Sequence, residues 1–268
     1  MKPFTLRHGS APMLISMPHI GTEIPDDLRA AFVPRALDVE DTDWHLFRLY
    51  NFAKTLGASV LTPRVSRYVI DLNRPPDDAP MYPGASNTEL CPTKFFSGDD
   101  LYQVGCAPDA DARALRKQMY WQPYHQALGD ELARLKALFG FVVLWDAHSI
   151  RSQIPWLFEG KLPDLNIGTA SGQSAHPTIE EAVGDAAVDG SGAYTVAING
   201  RFKGGYITRH YGNPAQHIHA VQLEKCQSLY MSEQAPFIFD DKKARDIQPT
   251  LFAMACAALT TATNLYKK

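Results

Sequence analysis

The sequence predicts an α/β fold: a single domain with a mixed, mostly parallel central sheet and helices on both faces. Three observations lead there. Short apolar runs that read as buried strands alternate with longer stretches of helical periodicity, the pattern of strands joined by crossover helices. The 268 residues suffice for one large domain with a substantial core. The 45% hydrophobic and 21% charged fractions are ordinary for a globular chain. No internal repeat or low-complexity linker divides it, so residues 1–268 are expected to form one domain.

Met13-Leu14-Ile15-Ser16-Met17 reads as the first buried strand, followed by a loop with Pro25 and Pro34. Trp44, Phe47, Leu49, Tyr50 and Phe52 can share one face, which predicts a helix over 42–56 stopped by Gly57. Residues 58–61 and 68–72 read as short strands. Residues 75–110, rich in Pro, Gly, Asp and Asn, make a long connection of the kind that carries function or moves, and a lid is one expectation for it. A helix over 109–138 with a kink at Pro123 comes next. Phe141-Val142-Val143-Leu144-Trp145 is the clearest buried strand. Strands at 166–169 and 194–198 flank a helix at 178–187. A Gly-rich turn over 199–206, a strand around His219-Ala220-Val221 and a closing helix over 240–265 complete the chain.

The net charge of −3 offers no basic excess for tracking phosphates, so nucleic acid is not expected as a partner. No apolar run approaches 18 residues, so no membrane span is expected. The first residues lack the long apolar core of a signal peptide. Cys91, Cys106, Cys226 and Cys256 are scattered without a CxxC pair, which argues against a cysteine zinc site and a disulfide framework. A cytoplasmic setting is the expectation; oligomeric state is not legible.

Polar residues gather where three of the apolar runs end: Pro18-His19-Ile20-Gly21, Trp145-Asp146-Ala147-His148-Ser149 and Gln222-Leu223-Glu224. In open α/β sheets ligands bind beyond the carboxyl ends of the strands. Either histidine by itself could be a hydrogen-bonded strand-end residue; delivered together, two neutral imidazoles suit zinc. Asp146 and His148, two apart on an extended segment, face the same way, so Asp146 either ligates or orients the histidine. The carboxylate that usually completes a two-histidine site has three candidates, Glu23, Asp41 and Asp43. Asp43 is preferred for the metal and Asp41 as a helix cap, although spacing does not decide. Glu224 is either a surface residue or a general base for a metal-activated water. Asn73-Arg74 ends an apolar run; the guanidinium can grip a carboxylate bidentately or pair with Asp71 or Asp77. Arg64 and Arg67 add positive charge, at least one of them in solvent. In the Gly-rich segment, Gly205 lets the backbone approach a ligand and Arg209 is the best substrate contact. His45, His125 and His176 read as ordinary helix or loop residues.

Six motifs then stand in one order from residue 18 to 224: Pro18-His19-Ile20-Gly21, Asp41-Thr42-Asp43-Trp44, Val69-Ile70-Asp71-Leu72-Asn73-Arg74, Asp146-Ala147-His148-Ser149, Asn199-Gly200 with Gly205-Tyr206-Ile207, and Gln222-Leu223-Glu224. The ordered set resembles the N-formylglutamate amidohydrolases (N-formylglutamate deformylases). More distantly it is similar to the zinc carboxypeptidases, which order a histidine, a carboxylate, an Asp-Leu-Asn-Arg-like segment, a strand-end histidine and a late glutamate in the same way. The resemblance implies a zinc-carboxypeptidase-like (phosphorylase/hydrolase-like) domain and one Zn2+ held by His19, Asp43 and His148. It implies Glu224 as base, with Asn73 and Arg74 on a substrate carboxylate. The implied reaction is hydrolysis of N-formyl-L-glutamate, a small dianion, to formate and L-glutamate in histidine degradation; another N-acyl amino acid deacylase or a small carboxypeptidase is the alternative. The chain departs from the carboxypeptidase H-x-x-E spacing, since position 22 is Thr and Glu23 falls one residue late, which further favours Asp43.

Overall fold

Apolar residues alternating between two faces build the sheet. In the computed structural model, which describes residues 2–81, 87–189 and 194–267, the strands are β1 (Phe4–Arg7), β2 (Met13–Ser16), β3 (Ser59–Pro63), β4 (Val142–Ile150), β5 (Leu165–Gly168), β6 (Val196–Ile198) and β7 (Ile218–Cys226). They form one seven-stranded sheet in the order β1-β3-β2-β4-β7-β5-β6. β3, β2, β4 and β7 run parallel; β1 pairs antiparallel with β3, and β5, itself parallel to β6, pairs antiparallel with β7. The sheet is therefore mixed, with a parallel centre.

The helices are α1 (Asp26–Arg29), α2 (Leu46–Leu49), α3 (Ala110–Arg116), α4 (Gln122–Phe139), α5 (Pro177–Asp189), α6 (Tyr206–Tyr211) and α7 (Asp241–Tyr266). Met13, Ile15, Val143 and Trp145 point to one face, where Ile179 and Val183 of α5 and Ile247, Leu251 and Met254 of α7 cover them. Leu14, Val142 and Leu144 point to the other, against Leu128, Leu132 and Leu135 of α4. Each such buried side chain contributes about 1.5–3 kcal/mol of transfer free energy. That two-sided burial explains why the central strands read as continuous apolar runs. Caps define the helix ends: Asp109 accepts from Ala112 N and Asp240 from Lys242 N and Lys243 N, while Gly140 closes α4 at φ 81°. Among the described residues no helix is long and apolar enough to cross a membrane.

Four local readings change. The segment 68–72 is a buried turn, not a strand: Val69 N bonds Ser66 O and Asp71 N bonds Leu90 O. Its apolar residues are buried as a loop would bury them, and periodicity over so short a run does not separate the two. The helix expected over 42–56 reduces to α2 and a 3-10 turn at Asn51–Lys54, because His45 adopts a left-handed φ of 62° before it. β1 was not anticipated from its half-exposed sequence. Finally, β4 and β7 do not stop at their polar patches but run through them to Ile150 and Cys226. In the long connection, residues 82–86 lie outside the described residues, and with them part of the expected lid.

Candidate metal centre

β2 and β4 lie side by side, with Ser16 opposite Asp146, and β7 places Glu224 opposite His148. Asp43 is pinned to the exit of β2 by its own amide, which donates to His19 O at 3.0 Å. Three parts of the chain thus converge. His148 Nδ1 is 3.2 Å from His19 Nδ1 and 3.2 Å from Asp43 Oδ2, and His19 Nδ1 is 3.6 Å from Asp43 Oδ2. All three residues are buried. A tetrahedral ion about 2.0–2.1 Å from each donor sets neighbouring donors roughly 3.4 Å apart, a value these separations bracket.

Each imidazole is backed by a carboxylate. His19 Nε2 donates to Asp71 Oδ1 at 2.7 Å, which turns the Nδ1 lone pair toward the cluster. Behind His148, Asp146 Oδ1 lies 3.1 Å from Nε2, and its Oδ2 accepts from Thr208 Oγ1 at 3.0 Å. Asp146 thus lies behind His148, away from the cluster, although its Oδ1 completes no hydrogen bond among the described residues. Asp71 also accepts from Arg67 at 2.6 Å and from Asn73 N at 2.9 Å.

The electrostatics are consistent with a cation. Burial alone would raise the Asp43 carboxyl, but the two histidines hold it below its usual range. Burial would likewise raise Asp71, and His19 and Arg67 hold it well below. Burial would lower His148, yet Asp146 and Asp43 lift it to about 10. The carboxylates that favour a proton on His148 would likewise attract a cation among these donors. Glu224 goes the other way: burial, helped by Asp43, pushes it up to about 8 against the opposing pull of His148. Glu224 Oε1 is buried with no hydrogen-bond partner among the described residues. An unmatched buried carboxylate oxygen is costly, and this one belongs to the residue that lines the same pocket as His19 and His148.

That pocket also admits Asn73, Arg74 and Gly205. Asn73 Nδ2 reaches His148 Nε2 at 3.0 Å while its Oδ1 accepts from Ile207 N at 2.8 Å. Gly205 is needed for closeness: a Cβ there would sit 2.3 Å from Asn73 Nδ2. Its N–H donates to Gln222 Oε1 at 2.7 Å. Arg74 spends Nε and Nη2 on Thr88 and Nη1 on the Asn73 carbonyl. Two of its five N–H groups therefore have no partner among the described residues.

Three sequence candidates fall elsewhere. Arg209 donates to Gly204 O and lines a separate surface cavity with Lys203. Glu23 pairs with Arg64 at the surface. Asp41 is not a helix cap, since its carboxylate binds Tyr68 OH, Phe96 N and Arg151. Sequence reasoning saw Asp71 only as an ion-pair partner for Arg74 and did not find its bond to His19. It passed over Arg201, which lines the pocket with Arg67. No spacing signal marks either, because both reach the pocket through loops.

The α/β sheet thus brings two imidazoles and a glutamate with one oxygen unmatched among the described residues to one pocket, with Asp43 against both histidines, an arrangement suited to a hydrolase. Residues 11–231 match the family model for N-formylglutamate amidohydrolase, and the chain belongs to that family. It is 48% identical over 267 residues to the N-formylglutamate deformylase of Pseudomonas putida, covering 100% of this chain and 99% of that protein. It is 52% identical over 235 residues to the N-formylglutamate deformylase of Pseudomonas aeruginosa, covering 88% of each. Among solved structures, the N-formylglutamate amidohydrolase of Ralstonia eutropha superposes with a TM-score of 0.81 at 25% identity, covering 96% of this chain and 98% of that one. The resemblance carried by the six ordered motifs is thereby borne out at the level of family.

Proposed function

We propose that this chain hydrolyses N-formyl-L-glutamate to formate and L-glutamate, with one divalent ion, zinc, held by His19, Asp43 and His148. The observation that carries the reading is the approach of those three donor atoms to within 3.6 Å of one another, beside a buried, unpartnered Glu224 oxygen. Family membership and relatives named as deformylases support the substrate.

His19, Asp43 and His148 would hold the ion, whose Lewis acidity would supply polarisation of the formyl carbonyl and a more acidic water. Glu224 accepts a proton from the attacking water at Oε1 and returns it to the amide nitrogen as the C–N bond breaks. Asp71 and Asp146 keep the imidazoles turned toward the ion throughout. Asn73 and Arg74 hold one carboxylate of the dianion, and Arg67 and Arg201 add positive potential along the pocket wall. Arg209, bonded to the Gly204 carbonyl, shapes the glycine loop instead of meeting the substrate. Phe96, Leu157 and Phe202 give the pocket an apolar wall, and a pocket fitted to a formyl group would reject larger acyl groups. The reaction fits a late cytoplasmic step of histidine breakdown.

Metal-stripped protein should release no formate from N-formyl-L-glutamate, and added zinc should restore release; full activity in metal-free protein would defeat the mechanism. A panel with N-acetyl-L-glutamate and glutamyl dipeptides tests the substrate. Equal turnover of those compounds would move the reading to a broader deacylase or a carboxypeptidase.

A further inference from the structure

Between α3 and α4 the helix widens into one π-helical turn, Lys117–Trp121. Pro123, which has no N–H and crowds the carbonyl four residues back, follows at once. The wider turn also changes which residues share a face. Five residues span about 1.4 turns of α-helix, which would set Arg116 and Trp121 far apart around the axis. A π-turn bonds i to i+5 and returns them to nearly the same side.

The face so assembled meets the backbone of the substrate-binding loop. Arg116 Nη1 donates to Val69 O at 3.2 Å, His125 Nε2 to Leu72 O at 2.8 Å, Trp121 Nε1 to Arg74 O at 3.0 Å and Lys117 Nζ to Pro76 O at 3.3 Å. Trp121 and His125 stack with ring centroids 3.7 Å apart. The loop has no strand or helix of its own to fix it. Its side chains Asp71, Asn73 and Arg74 serve the opposite side, toward His19, His148 and the pocket.

We infer that Trp121 and His125, which the π-turn brings onto the same face as Arg116, are positioning residues that hold the Asn73-Arg74 clamp at the distance the substrate carboxylate requires. The inference rests on the hydrolysis proposed above, with Arg74 as a carboxylate contact. A purely structural role would weaken the fold without regard to Arg74, so coupling to Arg74 is the readout. Formate release by metal-loaded full-length chain is measured for wild type, W121F, R74A and the double variant. Phenylalanine keeps an aromatic ring beside His125 and removes the N–H together with part of the indole's volume, a loss that acts equally with and without Arg74.

W121F should raise KM roughly five- to tenfold with kcat within about twofold and metal content unchanged. In the R74A background the same substitution should change KM less than about twofold, because the group being positioned is gone. An unchanged KM in W121F overturns the inference alone, as does an equal factor in both backgrounds. A wild-type chain that releases no formate overturns the proposed function and this inference with it. Should W121F not fold, H125L against H125Q replaces it: leucine raises KM in the Arg74 background, and glutamine, whose amide still reaches Leu72 O, restores it.

Discussion

Two buried glutamates show how this molecule separates structure from chemistry. Glu131 on α4 is 1% exposed and Glu224 on β7 is 8% exposed. At Glu131 both oxygens are occupied: Oε1 accepts from Ser59 and from Arg134 at 2.6 Å, and Oε2 from Arg134 at 2.8 Å and from His8 at 2.7 Å. Burial would raise its carboxyl, but Arg134, Ser59 and His8 bring it below the ordinary value. Glu224 has an oxygen with no partner among the described residues and is pushed up to about 8 by burial. One residue type, covered alike but with half-exposed cationic partners at Glu131 and a closed surrounding at Glu224, thus shifts in opposite directions. Burial does not by itself mark a site, and neither does an unmatched atom, since among the described residues Trp44, Arg116, Asn166 and Gln227 each have one too. What sets Glu224 apart is an unmatched oxygen in the pocket that His19 and His148 line.

Conservative substitution at the two positions should separate them most sharply. Glu224→Gln should lower kcat by about 10²–10⁴-fold, the usual worth of a general base, with metal content and unfolding midpoint retained. A variant that keeps wild-type kcat would remove Glu224 from the chemistry. Glu131→Gln should do the reverse. It removes the charge that pairs with a half-exposed Arg134 and should cost roughly 1–2 kcal/mol of stability, read from a denaturant midpoint, while folded protein keeps its kcat and KM. A large activity loss at unchanged stability would erase the contrast.

The smallest effect concerns acid sensitivity. Burial drives His125 down to about 3 despite its bond to Leu72 O. Between that value and the ordinary 6.5 the unfolded chain binds a proton that the folded chain refuses. His125 therefore contributes its full stability above pH 6.5, and this is lost as pH falls toward 3. Its share of the slope is about 1.4 kcal/mol per pH unit. H125Q should flatten unfolding free energy against pH by that amount between pH 6 and 4; an unchanged slope would mean that the imidazole is charged in the fold. Glu131 acts in a lower window: its folded value lies below the ordinary 4.5, so its contribution is present above that pH and fades beneath it.

Much of the fold and part of the site are legible in the order of residues. The run Phe141–Leu144 announces β4, and the two-residue step from Asp146 to His148 places both side chains on one side of it, as the 3.1 Å approach shows. Segment 68–72 misleads because a buried turn and a buried strand bury the same residue types. Asp41 misleads as a cap because α2 begins later than periodicity suggests, at Leu46, and the carboxylate meets Arg151 from the end of β4 instead.

Alternating apolar runs, local turn chemistry and the two-fold step along a strand are properties of neighbours in the chain. For that reason the α/β class, the central strands, the longer helices and the shared face of Asp146 and His148 were determined by sequence alone, as was family membership through its ordered motifs. The gathering of Asp43, and not Glu23 or Asp41, beside His19 and His148, the bond from Asp71 to His19 and the unmatched oxygen of Glu224 depend on groups tens of residues away. Those were decided only in three dimensions, because whether a charge is matched depends on what packs against it.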